Sequence, residues 1–396
     1  MKKSLVALSV FGAFAGIAHA DDTNVTLYGV IDAGLTTTTN VAGTAAVAAI
    51  AANPAKYQLA VPAVPAGPSG TVTGLQTGGV STSRWGLRGT EDLGDGTKVK
   101  FLLESELLPT SGGNLASDAS TSSYTQLFKR GAWVGLSQDG IGEVRFGRQN
   151  TATYDYVTTY DALPAYNIGS LTTNVDGTKA VAGSGNVFNA YTVDRYDRAV
   201  QLRSADYSGL NLRAGWSFGN FPGSQAQNRI FDLGASYHLD ALNLAVAYLA
   251  ANNNSAANTS TATTNIGLFA TYDFTVAIVN ASYTNSKGKL VGGDSFTTLT
   301  LGARVPLSPK FTAIGEFAHD DNKATGNKPH IITAGLTYGL SKRTTLYALS
   351  AFASQSGNSK LETASASKFD TGNGLGVVPV AGDNQTTVSF GINHKF

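Results

Sequence analysis

The chain has no cysteine, which excludes disulfides, thiolate metal sites and a cysteine nucleophile. Charge is scarce: 14% of its 396 residues are charged, against about 25% in an ordinary soluble domain. The 28 Lys+Arg nearly cancel the 27 Asp+Glu, so there is no electrostatic footprint for nucleic acid. Long hydrophobic runs are missing too. The best internal one, 41–52, is short and mostly alanine, a loop or weak helix rather than the ~20 apolar residues of a helical span. The histidines at 19, 238, 319, 330 and 394 are scattered and lack metal-ligand spacing. No G-x-S-x-G, P-loop or dinucleotide fingerprint stands in context. No cofactor, metal or catalytic site is expected.

What is present is 42% hydrophobic residues, 45 glycines and many aromatics, 18 Phe, 16 Tyr and 3 Trp. That hydrophobicity at near-zero net charge opposes disorder. The N-terminus gives the compartment. Lys2 and Lys3 precede an apolar stretch over 4–17, and Ala18-His19-Ala20 fits the small-x-small rule. This is a secretory signal pattern with cleavage expected after Ala20, leaving one domain over 21–396.

Helical periodicity is rare and period-2 alternation is nearly everywhere. Val99, Phe101 and Leu103 alternate with Lys98, Lys100, Leu102 and Glu104; Leu212, Ala214 and Trp216 alternate with Asn211, Arg213 and Gly215. Such strands have one apolar and one small or polar face. Sixteen are expected, at 24–36, 81–91, 96–107, 124–137, 141–150, 197–207, 210–219, 229–239, 241–250, 264–274, 275–285, 295–305, 310–319, 330–339, 343–353 and 385–396. Short links such as 92–95, 138–140 and 208–209 alternate with long ones such as 37–80, 108–123, 151–196 and 354–384. An even count of ~10-residue strands with alternating links is the rhythm of an outer-membrane barrel. The expected fold is therefore all-β: a 16-stranded antiparallel transmembrane β-barrel with short periplasmic turns and long extracellular loops.

A barrel also accounts for the composition. In lipid every backbone polar group must be paired, so only helices or closed barrels span. The outer face takes uncharged apolar side chains and the inner face takes small and polar ones. Trp85, Trp133, Trp216, Tyr237, Tyr248, Tyr272, Tyr283 and Tyr338 are read as outward, at the headgroup levels. The last strand places Val388, Phe390, Ile392, His394 and the terminal Phe396 on one face.

The segments VTLYGVIDAGL (Val25–Leu35), SRWGLRGTEDLGDGTKVKFLLES (Ser83–Ser105), RGAWVGLS (Arg130–Ser137), GEVRFGRQ (Gly142–Gln149), LSKRTTLYALSA (Leu340–Ala351) and GINHKF (Gly391–Phe396) carry a family likeness. In them the chain resembles the general porins of Gram-negative bacteria, particularly the betaproteobacterial type. The resemblance implies a homotrimer in outer-membrane lipid that passes ions and small hydrophilic solutes. It also implies that the third long loop, about 151–196, folds inward and narrows the barrel.

Strand parity then proposes a pore lining. Arg84 and Arg88 oppose Trp85 in parity, Arg130 opposes Trp133, Arg145 lies between Val144 and Phe146, and Arg203 alternates with Leu202. An outward arginine near the bilayer midplane costs about 2–4 kcal/mol, so all five are read as inward. Arg84 and Arg130 match the basic cluster that the family sets against its loop. Glu104 and Glu106 share the lumen parity, and Asp155 and Asp161 are the loop's acids. Asp32 shares a face with Tyr28 and Val30, which leaves its direction open, as does the position of Arg148 at the strand end. Cations exceed anions near the first strands, which favours mild anion preference. The rival readings are a barrel enzyme, an adhesin or receptor using its long loops, and a soluble secreted β protein.

Overall fold

The computed structural model describes residues 23–43, 69–110, 112, 127–163, 168–170, 175–180, 187–189, 193–219, 228–254, 260–288, 295–323, 325–364 and 377–396. The signal segment and most of the 41–52 run lie outside them. Alternating strands can satisfy their backbone groups only by pairing edge to edge, and here they do so until the sheet closes. Seventeen strands form one antiparallel sheet. They are β1 (Thr23–Val41), β2 (Gly70–Thr77), β3 (Arg84–Gly94), β4 (Thr97–Glu106), β5 (Gly131–Gln138), β6 (Gly142–Asn150), β9 (Arg195–Ser204), β10 (Leu210–Ser217), β11 (Ile230–Leu239), β12 (Leu242–Asn254), β13 (Ser260–Asp273), β14 (Ile278–Gly288), β15 (Ser295–Pro306), β16 (Phe311–Asn322), β17 (His330–Gly339), β18 (Thr344–Ser354) and β19 (Gln385–Lys395). A separate ladder joins β7 (Val175–Ala180) to β8 (Val187–Asn189). Among the described residues a helix, α1 (Ala152–Thr159), follows β6.

Closure is made by β1 against β19, from Val30↔Lys395 to Thr38↔Thr387. The other edge of β1 is shared: Thr23 to Val30 pair with β3, and Ala33 to Val41 with β2. Thus β2 and β3 fill one place in the wall, broken at 78–83, and the seventeen strands fill sixteen places. The first strand is longer than expected, and β2 lies in a link read from sequence as loop. Its Thr/Gly-rich composition, GTVTGLQT, hides a strand whose faces are both largely polar.

Register fixes the faces. Leu27, Leu35, Val134, Phe146, Leu202, Leu233, Leu268, Leu301, Phe317, Ile332 and Phe390 point outward and are exposed, an apolar band for lipid to cover. The buried side chains are instead largely polar: Asp32, Thr36, Thr38, Gln201, Asp232, Thr387 and Ser389 face the interior. Short turns use residues that accept left-handed backbone, as at Asp95-Gly96 (φ 49° and 74°) and Ser208-Gly209 (φ 55° and 93°).

Trp133 corrects the parity reading. It stands opposite Leu102 in β4 and Gly147 in β6, in the row of inward residues, while Ala132, Val134 and Leu136 face out. Gly131 and Gly135 flank it two residues away on either side, so it sits on the small-residue face that lines a lumen.

Among the described residues two apolar clusters lie inside the barrel, both built with loop residues. In one, α1 sets Tyr156 and Tyr160 against the inward Phe269, with ring centroids 5.9–6.1 Å apart. In the other, Ala162, Leu163 and Ile168 of the third long loop meet Leu361, Ala364 and Val377 of the last one. Both pack on inward Ile314, Ile331 and Leu349. Ile168 bridges Ala364, and Val41 bridges Pro379, tying the first, third and last long links together. The third loop thus covers the wall from β10 round to β18. Among the described residues, these two cores leave the arc β3–β9 uncovered.

Candidate functional site: a charged constriction

The exposed arc is where the few charges gather. The break at 78–83 wraps around Asp32, whose carboxylate accepts from the backbone N–H of Gly79 (2.8 Å), Val80 (3.2 Å) and Ser81 (3.1 Å), and from Tyr347 Oη and Asn393 Nδ2 (2.9 Å each). Asp32 is inward and fully buried, a structural nest rather than a pore lining group. The same break delivers Arg84, which donates to Ser81 Oγ (3.0 Å) and the Thr82 carbonyl (2.9 Å).

Arg84 Nε lies 3.5 Å from Glu104 Oε2. Arg130 Nε donates to Glu104 Oε1 at 2.7 Å, and Tyr28 Oη donates to Glu104 Oε2 at 2.8 Å. Arg130 precedes β5, so its inward direction comes from this contact and not from parity with Trp133, which also points in. Its carbonyl accepts from Arg195 Nε at 3.0 Å. Beside it Lys129 Nζ is 2.9 Å from Glu106 Oε2. Burial, with Arg195 and Arg130 close by, pushes the Lys129 ammonium down to about 8.

On the next strands Arg145 forms a two-pronged pair with Glu143, at 2.8 and 2.9 Å, and Lys100 lies 4.0 Å from the same carboxylate. Arg203 and Arg213 stand opposite each other in register. Asp155, on α1, bridges them: its Oδ2 is 2.5 Å from Arg213 Nη1 and 3.5 Å from Arg203 Nη2. Arg88 is inward, stands 5.0 Å from the Tyr28 ring, and makes no ion pair among the described residues.

The helix that carries Asp155 is anchored at its start. Thr151 caps it by accepting from the Tyr154 N–H (3.2 Å), and Ala152 N–H donates to the buried Asp232 Oδ2 at 2.6 Å. Burial raises the phenols of Tyr156 and Tyr160, which keeps them neutral. Sequence reading missed this helix, because ATYDYVTT is rich in β-branched and aromatic residues and has little amphipathic signal. It also missed Asp232, which looks like any polar residue on an inner face.

Asp161 is placed elsewhere. It is 2% exposed and hydrogen-bonds with Glu316 of β16 on the far wall, so it anchors the loop and does not line the passage. Glu316 Oε2 also accepts from Ala162 N–H at 3.2 Å. The loop tip 164–166 lies outside the described residues. Arg148 stands opposite the outward Ala132 and pairs with Asp197 at 2.7 Å, away from the lumen.

The profile of the Gram-negative porin family matches residues 6–358. Outer membrane porin protein 32 of Delftia acidovorans is 33% identical over 410 residues, covering 100% of each chain. An outer membrane porin protein of Bordetella pertussis is 31% identical over 395 residues, 89% of this chain and 94% of that one. Among solved structures, the anion-selective porin from Comamonas acidovorans matches with a TM-score of 0.73 at 27% identity, over 95% of this chain and 100% of that one. With a closed barrel of sixteen places, an apolar outer band and a charged inner passage, the chain belongs to the Gram-negative porin family and is an outer-membrane channel for passive diffusion.

Proposed function

We propose that the channel passes small anions in preference to cations, works as a homotrimer, and is narrowed at the arc β3–β9 by Arg84, Arg88, Arg130, Arg145 and Arg203 with Glu104, Glu106 and Asp155. One observation carries the preference: carboxylates on this arc are shared by two cations. Glu104 serves Arg84 and Arg130, Glu143 serves Arg145 and Lys100, and Asp155 serves Arg203 and Arg213. Each group keeps a net positive charge, Lys129 and Glu106 cancel, and Arg88 adds another. In a narrow passage with low-dielectric walls such charges raise the local anion concentration. The Comamonas acidovorans relative is described as anion-selective, which supports the same sign here, and a structural neighbour from Vibrio cholerae is described in a trimer form.

Single-channel conductance in a salt series tests this. Replacing chloride by a bulkier anion is expected to lower conductance strongly, and replacing potassium by lithium only weakly. The reverse order contradicts the reading. Light scattering in detergent is expected to give three chains per particle; a monomer contradicts the trimer.

A further inference from the structure

Trp133 exposes part of an indole to the water-facing side of the barrel, where small and polar residues are the rule. It does not stand alone. Arg88, Leu102 and Trp133 occupy one row across β3, β4 and β5, as the register pairs Arg88↔Leu102 and Leu102↔Trp133 show. Leu102 and Trp133 are both half-buried, and no described loop residue belongs to a core with them. The next inward row carries Lys100 and Arg145, on either side of Gly135. The Arg145 guanidinium lies 3.9 Å from the centre of a Trp133 ring, held in place by Glu143. Three cations therefore surround an apolar pair, and one carboxylate offsets them.

We infer that this patch is a subsite for aromatic monocarboxylates, with the ring on Trp133 and Leu102 and the carboxylate between Arg88 and Lys100. The inference rests on the anion-conducting reading of the passage. An inorganic anion would use the cations and gain nothing from the apolar pair. A neutral aromatic would use the pair and leave the charge unmet. A planar ring carrying one carboxylate uses both: ring stacking on indole adds to area burial, and Arg88, free of an ion pair among the described residues, offers planar hydrogen-bond donors to a carboxylate.

The test is current block in single wild-type channels bathed in KCl with added benzoate, acetate or benzyl alcohol at equal concentration. Saturable block by benzoate, absent with the other two, is expected. W133A should weaken the benzoate block by about threefold to tenfold, and W133F should retain most of it. R88Q should weaken it as well. Unit conductance and the trimer band report correct assembly, and where W133A fails to assemble, L102N reads the same patch. No saturable benzoate block, equal block by acetate, or a block unchanged in the variants overturns the subsite. The salt series is read separately, so a channel that follows the anion but ignores benzoate refutes the subsite alone.

Discussion

Asp155 on the loop helix lies 2.5 Å from Arg213 on β10 and 3.5 Å from Arg203 on β9. The loop is thereby held to the wall by two inward arginines, and the proposed selectivity would be coupled to loop position. Replacing Asp155 by Asn removes about 1.5–3 kcal/mol of loop anchoring and leaves two arginines without their shared carboxylate. The expected result is a zero-current potential shifted further towards chloride together with noisier single-channel current. A shift towards potassium would contradict this placement.

Asp32 is a second point of control, at a distance from the passage. Its carboxylate collects three backbone N–H groups, a phenol and an amide, and it sets the break from which Arg84 emerges. Asp32→Ala leaves these buried donors unmet and should cost about 3 kcal/mol or more. A lower unfolding temperature of the heat-modifiable barrel band is expected, and an unchanged one would show that the nest is dispensable.

Much of the fold was legible in the residues. Period-2 alternation, turn pairs such as Ser208-Gly209 and the uneven links specified sixteen wall places because a barrel repeats the same physics in every strand. The exceptions have local causes. The strand break at 78–83 depends on a carboxylate about fifty residues away, and Asp32 shares its face with ordinary Tyr28 and Val30. Trp133 was misread because an aromatic in a barrel strand suggests a membrane girdle, although Gly131 and Gly135 already marked its face as the small one. The inner apolar cores, where Leu163 and Ile168 meet Leu361 and Val377, join loops far apart in sequence. They carry no periodic signal at all.

The proposed constriction would acquire a pH response from Lys129. Its ammonium is pushed down to about 8 by burial and neighbouring arginines, and so it is charged at pH 7 and largely neutral by pH 9. Neutralising this cation, which lies 2.9 Å from Glu106, lowers the net positive charge. Chloride preference is therefore expected to fall as pH rises through about 8. The variant K129Q should lack that step; a step of equal size in the variant would assign it elsewhere.

Asp161 interacts with Glu316 inside the barrel, and Glu316 also accepts from the Ala162 N–H. Glu316→Gln supplies an amide N–H for Asp161 and keeps an oxygen for the Ala162 N–H. The variant should hold the loop at least as firmly as wild type, whereas E316A should loosen it. Protease resistance of the loop in the folded trimer reads the difference, and equal behaviour of the two variants would contradict the tether.

The most direct measurement is the zero-current potential of wild type beside R84S/R130S, taken across the same KCl gradient in planar bilayers. Wild type is expected to show the sign of chloride preference. The double variant, in which Glu104 has lost both cations, is expected to move clearly towards potassium with the unit conductance retained. A potassium-preferring wild type, or a double variant with an unaltered potential, would contradict selectivity by the wall arginines.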